Sequence, residues 1–336
     1  MPDSRITSIH PLRAIEGGRV SIVGTDFPAD PPPLVRVDGR EARIVFASPT
    51  RLTFLVPADL DGGEASVQLD DEPPRGGLTV GTVWATGLHQ VDNPVFNADG
   101  DLFVTYSGSR GQQAPISIFR VNQAGAREPF ASGIVNATSM TFGPDGALYV
   151  SSRFEGLVYR VAMDGTYEQV AGDLGVACGL AFDADGVLFV GDRSGTVFRV
   201  EDGRATAFAS LPASVAAFHL AMSPDGELFV SAPTLGSYDY VYRIARDGTV
   251  RTVPTPFGRP QGIAFSPDGV LHVVDALAGG SGVYRFPDIE GPPELAVAGH
   301  AMVGLAFGPA GQLVVASNDT AYGFTSDVAP GPKAPA

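Results

Sequence analysis

The chain has 336 residues, with Gly 42 and Pro 28, charged residues at 18% and a formal net charge of −15. That charge excludes a nucleic-acid binder, which must set Lys and Arg against phosphates, and it excludes attraction to an anionic membrane surface. The single cysteine, Cys178, excludes an internal disulfide and any multi-cysteine metal site, and no apolar run of about 18 residues is available to cross a bilayer. Mean hydropathy is +0.12. The N-terminus carries no apolar signal core, which leaves a cytoplasmic location or export with the leader already removed.

In chain order, strands are expected at 6–9, 19–23, 35–37, 42–47, 51–56, 65–69 and 77–80. They are punctuated by Gly17-Gly18, Pro31-Pro32-Pro33, Asp38-Gly39, Asp61-Gly62-Gly63 and Pro73-Pro74. Short strands broken at such regular intervals predict a small β-sandwich over residues 1–80. The stretches Ile6-Thr-Ser-Ile-His-Pro11, Gly17-Gly-Arg-Val-Ser-Ile-Val-Gly-Thr-Asp-Phe27, Val37-Asp-Gly39 and Leu52-Thr-Phe-Leu-Val-Pro57 resemble the immunoglobulin-like IPT/TIG fold. The resemblance implies a spacer or interaction module, with Pro31–Pro33 as a rigid loop or a recognition element.

Almost no linker follows, because 78–88 runs straight into a repeat. Six segments share an apolar strand, a tight turn and a second apolar strand, as in Gly179-Leu-Ala-Phe-Asp-Ala-Asp-Gly-Val-Leu-Phe-Val190. Their turn glycines, Gly100, Gly146, Gly186, Gly226, Gly269 and Gly311, recur every 40–46 residues. A period near 40 built from strands predicts an all-β six-bladed propeller with four strands per blade, over residues 81–326. A third strand reads Ile118-Phe-Arg-Val121, Val158-Tyr-Arg-Val161, Val197-Phe-Arg-Val200, Val241-Tyr-Arg-Ile244 and Val283-Tyr-Arg-Phe286. Arg120, Arg160, Arg199, Arg243 and Arg285 therefore serve the blade, each as a bond to a neighbouring turn. The last repeat lacks a fourth strand while the segment before the first has one to spare. Thr82–Ala85 is thus expected to close the ring beside Tyr322, with the sandwich held against the first and last blades and a disordered Pro/Ala tail at 327–336.

Strand parity divides the disc. Hairpin turns of the first-to-second and third-to-fourth strands share one face and are monotonous here, so Asp99, Asp145, Asp185, Asp225 and Asp268 are turn formers. The loops 106–115, 151–156, 191–195, 231–239, 274–281 and 316–319 share the other face and vary in length and content. Function sits in irregular loops on a rigid scaffold, so the variable face is where a site is expected.

At strand ends on that face stand Asp92, Asn93, Tyr106, Arg153, Asp192, Arg193, His219, Gln261, Asp275 and Asn318. Asp92, Asp192 and Asp275, with Gln261, make an all-oxygen set suited to Ca²⁺ or another hard divalent cation. The opposing reading has the aspartates paired with Arg153 and Arg193, or solvating the rim. Asn93, Tyr106, Arg153, Asp192, Arg193, His219, Gln261 and Asn318 are the candidate ligand contacts, and Asp92, His219 and Asp275 are the candidates for acid–base work. No nucleophile elbow and no phosphate-cradling glycine loop is present.

Pro260-Gln-Gly-Ile-Ala-Phe-Ser-Pro-Asp-Gly269 with Val273-Val-Asp275 and Val283-Tyr-Arg-Phe286 resembles the NHL-repeat and gluconolactonase/senescence-marker-protein group of six-bladed propellers. In the lactonase branch, the resemblance implies a divalent metal held by a Glu, an Asn and an Asp. Here Asp92-Asn-Pro94 replaces the Glu with a shorter acid, Gln261 replaces the Asn, and the remaining Asp has no match. Two functions stay open. One is a non-catalytic protein that binds a small molecule, glycan or protein partner on the variable face. The other is a metal-dependent hydrolase of lactones. Self-assembly by sandwich-to-propeller contacts is a third possibility.

Overall fold

The computed structural model describes residues 6–216 and 218–324. The tail expected over 327–336 lies outside the described residues. Among those described there is no helix, and the architecture is an Ig-like sandwich followed by six four-stranded blades.

One sandwich sheet is built from Ile6–His10, Arg19–Gly24, Arg51–Leu55 and Ile44–Ser48. The other holds Arg13–Ala14, Arg75–Val80, Gly63–Leu69, Val35–Val37 and Arg40–Ala42. The single strand expected over 42–47 is therefore two strands on opposite sheets, with Arg43 at the crossing. Alternation along Arg19–Gly24 and Arg51–Leu55 turns Val20, Ile22, Leu52 and Phe54 inward, where they meet Val35, Val37, Val67 and Leu69 of the facing sheet, all fully buried. Each such side chain removed from water contributes about 1.5–3 kcal/mol.

Five blades run outward in simple order, and Leu148–Ser152, for example, pairs with Ala137–Phe142 on one side and Leu157–Val161 on the other. Each first hairpin turns on a glycine that an L side chain would strain. Gly186 sits at φ 81° and its N–H bonds the Asp183 carbonyl at 3.1 Å. The sixth blade is completed by the closing strand: Thr82–Ala85 pairs antiparallel with Ala321–Phe324, with Val83 opposite Tyr322. Closure of the ring removes two open sheet edges.

The sandwich, expected against the first and last blades, shares its sheet with neither of them. It extends the fifth, because Arg13–Ala14 lies parallel to the outer strand Glu294–Ala298 and, on its other edge, parallel to Arg75–Val80. One nine-stranded sheet thus crosses the domain junction. Ala298 belongs to the sandwich core, and Ile15 belongs to the core of blades five and six with Val297, Met302, Tyr322 and Phe324. The Ile15 N–H donates to the Ala298 carbonyl at 2.9 Å, and the Tyr322 hydroxyl donates to Glu16 at 2.9 Å.

Three of the five blade arginines bond carboxylates at the first hairpin of their blade, as the repetition implies, whereas Arg285 bonds Glu294 of the outer strand and Arg199 pairs with Glu201 of its own strand. Arg160 Nε donates to Asp145 at 2.6 Å, Arg285 makes two bonds to Glu294, and Arg120 and Arg243 pair with Asp101 and Glu227. These links tie the third strand to the carboxylates of its own blade.

Candidate ligand-binding site

Around the axis the first strands of the blades approach so closely that side chains are excluded at some positions. A Cβ on Gly304 would strike the Asp92 carbonyl, and one on Gly262 would strike the Asn93 carboxamide and the Gly304 backbone. Asn93 uses its amide as a clamp: Nδ2 donates to the Ile263 carbonyl at 2.8 Å and Oδ1 accepts from the Leu305 N–H at 3.0 Å. It holds three blades at the hub instead of facing a ligand.

Next to it, Asp92 and His219 form a buried pair across the axis. Nδ1–H of His219 donates to Oδ1 of Asp92 at 2.5 Å, and the Asn93 N–H donates to the same oxygen at 2.6 Å. His219 is fully buried and Asp92 is 2% exposed. Asp92 Oδ2 and His219 Nε2 have no hydrogen-bond partner. Buried polar atoms are nearly always paired, so two unpartnered atoms on one contact set this pair apart from the other buried polar groups of the hub. Asp92 also lines the channel cavity, about 400 Å³, whose wall runs along the first strands to Phe96, Phe142 and Phe182 at their turn ends. This cavity occupies the turn half of the channel, opposite the variable loops.

The remaining carboxylates do not converge. Asp192 Oδ1 accepts the Val176 N–H at 2.8 Å and the Ser194 N–H at 3.1 Å, while Oδ2 accepts the Ser194 hydroxyl. Asp275 Oδ1 accepts N–H groups of Arg259 and Leu277 at 2.8 and 3.0 Å, and Oδ2 accepts that of Gly258 at 3.1 Å. Both carboxylates pin their own loops. Among the described residues no group of three or more His, Cys, Asp or Glu is placed to hold a metal ion. The metal set expected from Asp92, Asp192, Gln261 and Asp275 thus does not fit a divalent cation, since two of its three acids are committed to backbone N–H groups. Asn318 is also structural, with Nδ2 donating to the Gln90 carbonyl at 2.9 Å. Gln261 is buried, and its carbonyl accepts from the Ser231 hydroxyl.

What the variable face does gather is positive charge. Arg153 is half-buried, and Arg193 and Arg110 are exposed. None of the three forms an ion pair or side-chain hydrogen bond among the described residues, so the expected pairing of Arg153 and Arg193 with the aspartates does not occur. Burial lowers the pKa of Arg153, the Cys178 thiol opposes that shift, and the charges of Arg193 and Arg110 lower it further. Burial likewise lowers His89, with Arg153 adding to the effect. Cys178 sits between the two groups: burial and the Asp92 carboxylate push its thiol up to about 12, against the pull of Arg193 and Arg153. It is an inert filler. Tyr106 is half-buried and packs its ring edge-on to His89, centroids 6.0 Å apart.

Sequence reasoning therefore named Asp92, His219, Arg153, Arg193 and Tyr106 among the groups that remain available. It missed Arg110 and His89, which lie off the strand ends that parity singles out. The signal was present in the first variable loop, where Gly108-Ser-Arg-Gly111 sets a cation between two glycines.

The IPT/TIG domain family matches residues 4–81. No curated protein sequence matches the chain. Two of the solved structures align over nearly the whole chain and a third over about three quarters of it. An auxiliary nutrient binding protein from Bacteroides thetaiotaomicron is 12% identical with a TM-score of 0.57, over 96% of this chain and 98% of its own. A streptogramin B lyase is 15% identical with a TM-score of 0.52, over 96% and 94%. A gluconolactonase candidate is 18% identical with a TM-score of 0.59, over 73% and 91%. At these identities the likeness is one of fold alone, and it extends to proteins named for binding and to proteins named as enzymes.

Proposed function

We propose that the chain is a non-catalytic binding protein whose variable propeller face takes a small acidic molecule or an acidic glycan. The observation that carries this reading is Arg153, a half-buried guanidinium repelled by Arg193 and Arg110 and faced by no acid. In a chain of net charge −15, three unopposed arginines in one place are a standing cost that a bound anion relieves. Arginine is suited to the task because its planar fork meets a carboxylate with two parallel bonds. Tyr106 and His89 supply an aromatic wall beside the charges. The IPT/TIG domain serves as the rigid mount. The nutrient-binding neighbour lends support at the level of fold. The lactonase reading has weaker support, because it requires three metal donors together and Asp92 alone retains a free carboxylate oxygen.

The test compares glucuronate with glucose, which differ by one carboxylate. Glucuronate should raise the melting temperature of the intact protein in a concentration-dependent way, following RT ln(1 + [L]/Kd). Glucose should not, and Arg153→Met should remove the response. Equal responses to the two sugars, or an undiminished response in Arg153→Met, would reject the proposal.

A further inference from the structure

A second cavity, about 980 Å³, lies at the seam between the sandwich and the hairpin-turn side of blades five and six. Seams between domains are favoured places for ligand sites, and this volume suits a small organic molecule. Its walls are fixed relative to each other, since Arg13–Ala14 is hydrogen-bonded on one edge to blade five and on the other to the sandwich.

The polar groups of this cleft fall into two sets. Its carboxylates are occupied: Glu294 accepts two bonds from Arg285, and Glu64 accepts the Thr79 hydroxyl at 2.7 Å. Its remaining cations are not. Arg13 is half-buried and Arg19 exposed, and neither guanidinium has a hydrogen bond or ion pair among the described residues. Alternation in the short strand buries Ala14 completely and turns Arg13 to the cleft. His272 supplies a third function. Its Nδ1–H donates to the Val270 carbonyl at 3.0 Å, which fixes Nε2 as the acceptor. Burial, aided by the charges of Arg285 and Arg13, lowers its pKa and keeps that acceptor available. Leu12, Leu295, Leu313 and Phe307 are the large apolar side chains of the lining, and Leu12 is 55% exposed at the lip.

We infer that this cleft is a second ligand site, separate from the variable face, for an amphipathic organic anion bearing a hydroxyl group. Arg13 and Arg19 take the carboxylate, the leucines and Phe307 cover the apolar body, and His272 Nε2 accepts the hydroxyl proton as a hydrogen bond.

Calorimetric titration of the intact protein tests this with 4-hydroxyphenylacetate, its neutral amide, and phenylacetate. The acid should bind, the amide should bind about tenfold or more weakly, and phenylacetate should bind several-fold more weakly than the hydroxy acid. Arg13→Gln, which removes no hydrogen bond or ion pair of the guanidinium among the described residues, should reproduce the tenfold loss with a melting temperature close to that of the parent protein. His272→Asn should abolish the preference for the hydroxylated acid. Arg153→Met should leave the titration unchanged, which separates this site from the variable face. The inference is overturned if the acid gives no binding, if the amide binds as well as the acid, if inorganic phosphate competes equally with the aromatic acid, or if the Arg13→Gln/Arg19→Gln double variant retains wild-type affinity.

Discussion

At the scale of single residues, the hub pair is the most demanding feature. Asp92 accepts two N–H groups on one oxygen and leaves the other bare, with His219 fully buried beside it. Asp92→Ala strands the His219 Nδ1–H and the Asn93 N–H without an acceptor. The expected cost is about 3–5 kcal/mol in urea unfolding, typical of breaking one side of a buried pair. Asp92→Asn keeps an oxygen for both donors and should cost about 1–2 kcal/mol. Equal losses in the two variants would show that the carboxylate charge, not its acceptor geometry, matters.

His272 adds a pH dependence of definite sign. Its folded pKa lies below the ordinary 6.5, chiefly through burial. The unfolded chain therefore binds the proton more readily, and folding stability falls as pH drops below about 6.5 towards the folded value. Below that value the loss is complete and constant. His272→Asn should flatten this part of a stability–pH curve, and an unaltered slope would mean that another histidine carries it.

At the scale of elements, the repeat was legible because its information is local. Apolar strand, glycine turn, apolar strand recurs six times, and counting strands exposed the gap that Thr82–Ala85 fills. Parity of the strands also separated Asp145, a turn former bonded to Arg160, from the hub residue Asp92. Three things were not legible. Arg13–Ala14 is two residues long and has no pattern of its own, so its pairing with a strand almost three hundred residues away cannot be read locally. Asp192 and Asp275 look like free carboxylates until the N–H groups of their own loops are placed around them. Arg110 escaped because a residue inside an irregular loop has no predictable direction. The closing strand itself can be probed at Gly323. A Cβ there would run into the Trp84 ring, which packs edge-on to Phe96 of the first blade at 6.0 Å. Gly323→Ala should destabilise by about 1–3 kcal/mol through this overpacking. A neutral effect in chemical denaturation would show that the sixth blade is loosely closed.

For the whole molecule, the shared sheet decides how the two domains respond to stress. Domains joined by a flexible linker commonly unfold in separate steps. Here each domain lends a residue to the other's core: Ala298 of blade five lies in the sandwich, and fully buried Ile15 of the sandwich lies between blades five and six. Removing either domain would expose an apolar core face and leave the strand Arg13–Ala14 with an unpaired edge. The intact chain is therefore expected to melt in one calorimetric transition, with calorimetric and van't Hoff enthalpies in agreement. Ile15→Ala should cost about 2–5 kcal/mol, as large-to-small changes in packed cores do, and it should do so for both domains at once. The protein contains one tryptophan, Trp84, and it sits in the strand that closes the ring just after the junction. Its fluorescence reports on closure, whereas far-ultraviolet circular dichroism reports on all the strands. The two probes should shift together in Ile15→Ala. If the tryptophan transition moves ahead of the dichroism transition, the seam opens first, and the sandwich and propeller behave as separate units despite the sheet that joins them.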